Sequence, residues 1–256
     1  MRKHLLSKLA LMGLTASLAI VAASTAHALF TSEKEILRQS RVQWLGMKRS
    51  LPMPGDPRVQ EFVACISKRI IAQLEEPYAS IDWEIVVFDD EAMNAFAMPG
   101  GKIGVFTGIF RVADTPDALA AVIGHEIAHL TEDHVMERAK KDSRNDALVI
   151  LGSAATGLGD YVRQGATVLL SLPFDRKQES EADVVGLRYM ASAGFDPRAS
   201  IYLWKNMSDM RQGTPPEFLS THPSDDRRLD DLVKSMTPAL IAYNEAVDAG
   251  KRPRCL

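Results

Sequence analysis

His125-Glu126-Ile127-Ala128-His129 constrains this chain more than any other stretch of its 256 residues. Residues i and i+4 of a helix lie on one face, a turn apart, so two imidazoles at this spacing meet only if the segment is helical. Placed so, they can bind a single zinc ion. Glu126 is turned by about 100° from His125, beside the pair, and can reach a water at the ion without becoming a ligand. Val122, Ile123 and Ile127 surround the motif with apolar side chains. An unliganded His-Glu-His cluster would be costly to bury among them. The fold must therefore supply a buried helix and, elsewhere in the chain, a further ligand to face it.

A catalytic zinc takes a third protein ligand and keeps one position open. Three places in the sequence offer that ligand. His134 stands five residues after His129, but the long histidine-rich motif puts its third His six after the second, with a Gly between them. Glu132 occupies that Gly position, so His134 is expected to be a structural residue at the helix end. The second place is Glu179-Ser180-Glu181-Ala182-Asp183, where Glu179 and Asp183 share a helix face. One of them can bind the metal while the other accepts the remaining N–H of a ligand histidine and fixes its tautomer. The third is His222.

Glu-x-x-Ala-Asp after His-Glu-x-x-His resembles the family of zinc metalloendopeptidases that includes HtpX, BepA, LoiP and the CAAX-prenyl endopeptidases. Asn94-Ala95-Phe96-Ala97-Met98-Pro99-Gly100-Gly101 is similar to that family's segment before the active-site helix. Leu119 to Glu126 matches its helix lead-in, and Thr221-His222-Pro223 with Arg228-Leu229 is similar to its late loop. The resemblance covers about residues 64–229. It implies a zincin-type (gluzincin) fold, endopeptidase activity and one zinc ion per chain. It assigns Glu179 as the third ligand, Asp183 as the partner of His125 and Glu181 to solvent. His222 would stabilise the tetrahedral intermediate or fill the open zinc position in a latent state; a plain surface turn before Pro223 is the alternative. Arg228 would hold that loop or stabilise developing charge. The edge of a hairpin at Asn94, Ala95, Phe96 and Ala97 would pair with an extended peptide, a mode suited to unfolded or misfolded proteins. The biological role implied is quality control of exported proteins near a bacterial outer membrane, with an outer-membrane-associated partner or a membrane-surface contact. The rival class is a zinc-containing chaperone or binding subunit, which has no need of Glu126.

The N-terminus supports export. Arg2, Lys3 and Lys8 precede an apolar run from Leu9 to Ala26, and Ala26-His27-Ala28 offers small residues for signal cleavage after Ala28. The expected arrangement is a signal peptide over 1–28 and a single peptidase domain over 29–256, located in the periplasm. An uncleaved anchor is the competing reading, since the run is almost long enough to span a bilayer. The 27 residues after Leu229 leave no room for an appended helical repeat array. Without residues 1–28 the formal charge falls from −3 to −6. A net acidic chain without a basic run lacks the footprint of a nucleic-acid binder. Its two cysteines, Cys65 and Cys255, cannot build a disulfide scaffold; they stand either bonded to each other or as free thiols.

Patterning predicts an α+β domain, mostly helical with a small sheet. A polar amphipathic segment runs from about Ser32 to Met47, then a helix carries Val59, Phe62, Val63, Ile66, Ile70 and Leu74 on one face and closes at Pro77. Trp83 to Phe88 reads as a strand, and 94–98 with 102–106 as a hairpin about Gly100-Gly101. Thr115-Pro116 starts the motif helix. Further helices are expected from Asp175 to Gly194, from Asp196-Pro197 through Met210, and as two short pieces, Ser224–Met236 and Ala239–Ala249. The apolar stretches 147–159 and 166–174 are each too short to cross a bilayer. They are expected to line a groove or the core, or to rest on a membrane surface.

Overall fold

The computed structural model describes residues 32–141, 173–209, 218, 221–223 and 226–255. The expected signal peptide, the apolar run 147–159, most of 166–174 and Met210 lie outside the described residues. Among the described residues no helix is long and apolar enough to cross a membrane.

Helix α1 (Glu33–Ser50) starts at Ser32, whose hydroxyl accepts the Glu35 N–H. Helix α2 (Pro57–Ile71) starts at Asp56, with proline at its first position. It ends at Ile71, short of the expected Pro77, yet Leu74 still reaches the core from the turn that follows. Strands β1 (Glu84–Phe88), β2 (Ala95–Met98) and β3 (Lys102–Phe106) form one sheet in the order β1-β3-β2. β1 runs parallel to β3, and β2 is antiparallel to it through the Gly100-Gly101 turn. Both turn glycines have positive φ, +88° and +74°, as a tight hairpin turn of this hand demands.

The two-residue period of the strands sends alternate side chains to opposite layers. Val86, Phe88, Phe96 and Met98 pack beneath Trp44 of α1, whose Nε1–H donates to Glu84 at 2.8 Å. Gly104 leaves the space that the Phe96 ring fills; a Cβ there would lie 2.2 Å from it. On the other face Val87, Ala95, Ala97, Ile103 and Val105 join Val63, Ile66 and Ile70 of α2. The same layer holds α3 (Pro116–Thr131), capped by the Thr115 hydroxyl and buried continuously from Ala118 to Leu130.

Helix α4 (Arg176–Ser192) opens with a capping box between Asp175 and Gln178 and ends before Gly194, at φ +87°. It crosses α3 where Gly124 meets Gly186, and a Cβ on Gly186 would lie 2.7 Å from the backbone of Gly124 and of His125. Helix α5 (Ala199–Asp209) follows. The last element corrects the expectation of two short helices. Helix α6 (Asp226–Asp248) is continuous and contains Pro238. Proline removes one interior hydrogen bond, but Leu232, Met236, Ala239, Tyr243 and Ala246 keep one apolar stripe running past it.

Cys65 and Cys255 are joined in a disulfide that ties the tail to α2 across 190 residues of sequence. Lys251 sits over Gly194, its carbonyl 2.1 Å from where a Cβ would be, and donates to Gln73 and to the Ser192 carbonyl. Closing so long a loop restricts the unfolded chain. Cys255→Ser and Cys65→Ser are each expected to lower the unfolding free energy by about 2–5 kcal/mol, with no further loss in the double variant. Chemical denaturation checks this, and an unchanged midpoint contradicts it.

Candidate metal centre

The crossing of α3 and α4 faces the motif histidines toward two carboxylates. His125 and His129 come from α3, Glu179 and Asp183 from α4, and all four are buried. A fifth buried group is His222, whose backbone N–H donates to the Phe218 carbonyl at 2.8 Å. His125, His129, Glu179 and His222 could hold a metal ion, with one donor atom from each within 4.8 Å of the others. His125 Nε2 lies 3.1 Å from His129 Nε2, 3.2 Å from His222 Nδ1 and 3.5 Å from Glu179. Glu179 Oε1 lies 3.3 Å from His129 Nε2 and 2.9 Å from His222 Nδ1. A tetrahedral ion with bonds of about 2.0–2.1 Å spaces its donors by roughly 3.3 Å. The four groups therefore match the corners of such a shell.

Charge gives an independent test of that fit. Three buried carboxylates, Glu126, Glu179 and Asp183, surround the cluster; Arg228 pairs with Glu179 and Asp183, and the charge of buried Arg138 acts on Glu126. Buried charge needs compensation, and a divalent cation supplies it. Both oxygens of Glu126 are buried without a hydrogen-bond partner, the nearest ring atom being His222 Nε2 at 3.3 Å. Burial pushes the Glu126 pKa up. For His125, burial favours the neutral ring, but Asp183 and Glu179 outweigh it and raise the pKa to about 9. For His129, burial prevails and its pKa falls well below the usual value. Burial also opposes ionisation of Glu179, yet His222 and Arg228 hold its pKa well below the ordinary carboxylate range.

Each ring is fixed by what its other atoms touch. His125 Nδ1 lies 2.9 Å from Asp183 Oδ1, and its Nε2 faces His129, His222 and Glu179. Arg228 donates to both oxygens of Asp183 at 2.6 and 2.8 Å and pairs with Glu179 at 2.6 Å. It also donates to the carbonyls of His222 and Pro223 and lies 3.8 Å over the Trp204 ring. Arg228 thus ties the His222 turn to α4. Phe174 stacks on His129 at 3.7 Å and Phe218 on His222 at 4.3 Å.

His134, expected only to end a helix, turns back to the site. It opens a helical run over 134–141 after Asp133, whose φ is +61°. Its Nδ1 lies 3.1 Å from His129 Nδ1, and its Nε2 lies 3.6 Å from the partly exposed Glu181. Nothing in the spacing predicts this contact, because i+5 leaves the His129 face of a continuous helix.

The hairpin edge is where the pattern places it and is covered. β2 is the outer strand and pairs with β3. Asn94, Ala95, Phe96 and Ala97 are nevertheless all buried, at most 6% exposed. The Phe218 N–H donates to the Met93 carbonyl at 3.0 Å, just ahead of the strand. Among the described residues a void of about 10 Å³ borders His125, Asp183, Trp204 and Phe218, and the four donor residues are all buried.

The model of peptidase family M48 matches residues 57–236. The chain belongs to that family. Among relatives, the mitochondrial metalloendopeptidase OMA1 of Arabidopsis thaliana is 38% identical over 67% of this chain and 35% of its own length. The Schizosaccharomyces pombe protein of the same name is 38% identical over 66% of this chain and 50% of its own. The β-barrel assembly-enhancing protease of Escherichia coli K12 is 27% identical over 78% and 44%. The chain spans a third to a half of the length of these relatives. The family match includes every residue of the cluster.

Three substitutions probe the geometry. Gly186→Ala forces α4 away from α3, with an expected stability loss of about 1–3 kcal/mol and weaker metal binding, read by denaturation and chelator competition. His134→Ala is expected to lower metal affinity about 10–100-fold by releasing the His129 ring. Glu181→Gln should leave that affinity near wild type. A larger loss in Glu181→Gln than in His134→Ala would reverse their order.

Proposed function

We propose that this chain is a zinc-dependent endopeptidase that cleaves unfolded or misfolded exported proteins in the bacterial periplasm. The observation that carries the reading is Glu126, buried beside the His125–His129–Glu179–His222 shell with both oxygens free of hydrogen bonds. Two imidazoles and a carboxylate form a donor set that suits catalytic zinc. When bound, one zinc per chain supplies Lewis acidity toward the scissile carbonyl and its attacking water.

The chain's own residues do the rest. His125, His129 and Glu179 hold the ion, and Asp183 orients His125 through Nδ1. Glu126 takes a proton from the water and later delivers one to the leaving amine; its raised pKa suits that exchange. His222 fills the fourth corner in this arrangement, which makes it a latent one, because a catalytic site needs an open position. Once swung away, the ring is placed to stabilise the developing oxyanion. Arg228 holds the turn that carries it. Asn94, Ala95, Phe96 and Ala97 receive the substrate backbone by strand addition once Phe218 leaves Met93. Recognition of backbone rather than side chains fits chains that have lost their fold.

The periplasmic assignment rests on Arg2, Lys3 and Lys8, the apolar run and Ala26-His27-Ala28. One relative is named for β-barrel assembly and another as mitochondrial; the export signal favours the envelope and a partner at the outer membrane. Glu126→Gln tests the reading. It should keep about one metal ion per chain by elemental analysis and lose about 10²–10⁴-fold in turnover of an unfolded substrate. Wild-type cleavage by that variant removes Glu126 from the role of base.

A further inference from the structure

The outward face of α1 carries a charge pattern that the peptidase does not use. Residues 33–50 hold five basic and two acidic side chains, whereas residues 51–256 hold 22 basic and 31 acidic. The helix is thus a positive segment on an otherwise acidic chain. At about 100° per residue, Lys34, Arg38, Arg41, Lys48 and Arg49 all fall within an arc of roughly 140°. Both acids, Glu33 and Glu35, fall outside it. Leu37, Val42 and Leu45 lie within the same arc and are 37%, 59% and 39% exposed. Among the described residues Lys34, Arg41 and Arg49 form no ion pair, while Arg38 pairs with Glu35 and Lys48 with Glu84. The opposite side of α1 is committed to the protein through Ile36, Ser40 and Trp44.

We infer that this face of α1 docks on a bilayer surface bearing anionic phospholipid. Apolar side chains interleaved with long basic ones suit an interface in which leucine and valine enter the headgroup boundary while the cations meet phosphates. A protein partner would more often meet an apolar centre depleted of charge. Order along the chain agrees: the apolar run 9–26 ends six residues before α1, so export by that run would bring the helix out close to the membrane. One face of the sheet packs on α1 and the other on the core layer that holds α3, while Ile36 of α1 also meets Met136 and Ala139. This attachment is independent of the peptidase reading.

The test is flotation of the protein, as exporting cells yield it, with phosphatidylcholine vesicles containing or lacking phosphatidylglycerol. Binding is expected on the anionic vesicles at low salt and should weaken as salt rises. Arg41→Gln and Arg49→Gln should each reduce it about fivefold, and together about 25-fold. Val42→Asp should weaken it further, and cleavage of a soluble substrate should stay unchanged in all three. Equal binding to neutral vesicles, binding indifferent to the double substitution, or no binding overturns the inference. The last result would point to an acidic protein face instead.

Discussion

Where α3 and α4 cross, Gly124 and Gly186 let backbone touch backbone, and a methyl at either would sit 2.7–2.8 Å from main-chain atoms of the other. Everything at the metal centre depends on that approach. His125 follows Gly124 directly, and Asp183 lies a turn before Gly186. Only at this separation can a carboxylate of one helix reach the imidazoles of the other at 2.9–3.5 Å. Side-chain packing alone spaces helices 8–10 Å apart, and the two glycines bring the ligand sets together at a closer crossing.

The crossing also creates an electrostatic problem, since it buries Glu126, Glu179 and Asp183 in one volume. Glu179 sits in the first turn of α4, where the helix dipole favours negative charge. Arg228 answers Asp183 with two hydrogen bonds and extends to Glu179, and its stacking on Trp204 keeps it in place. A lysine could not reproduce this planar, multidentate arrangement. Glu126 lies opposite with both oxygens free of hydrogen bonds, although Arg138 and the histidines favour its charged form, and a bound metal ion would add positive charge to the same volume. Structural stability and metal binding are therefore linked through the same buried groups.

Much of this was legible in the sequence, and the limits have physical causes. The i, i+4 histidines, the caps at Thr115 and Asp175, the Gly100-Gly101 turn and the strand alternation each depend on neighbours a few residues away. Those features appeared where local rules put them. Glu179 was legible only through a pattern linking two helices, because no local rule says which carboxylate faces a motif fifty residues upstream. The approach of His134 required a left-handed Asp133, which residue identity does not announce. Pro238 suggested a break, but the apolar stripe on either side keeps a single phase, and packing outweighed one lost hydrogen bond. The cysteine pairing joined opposite ends of the domain and followed only from the folded chain. The hairpin was readable as an edge; its burial was not, since Trp44 covers Phe96 on one face, the main core covers Ala95 and Ala97 on the other, and Phe218 bonds Met93 just ahead of the strand.

That cover bears on how a buried centre can serve a peptidase. One short turn performs two tasks. Its ring at His222 lies 3.2 Å from His125 and 2.9 Å from Glu179, where it would be a fourth ligand to a bound metal, and its Phe218 N–H is bonded to the carbonyl just ahead of β2. Phe218 also stacks on His222, so the two contacts are mechanically joined. A peptide that adds to β2 competes with the Met93 bond and with the covering ring. Displacing Phe218 would remove the ring that stacks on His222. In the proposed reading, then, strand pairing and opening of the metal corner are a single event. Arg228 remains bonded to Asp183 and to the turn's carbonyls and sets how far the turn can travel. A folded protein cannot present the extended segment needed to begin that exchange. Selectivity for unfolded chains would then arise from what opens the centre rather than from any side-chain pocket.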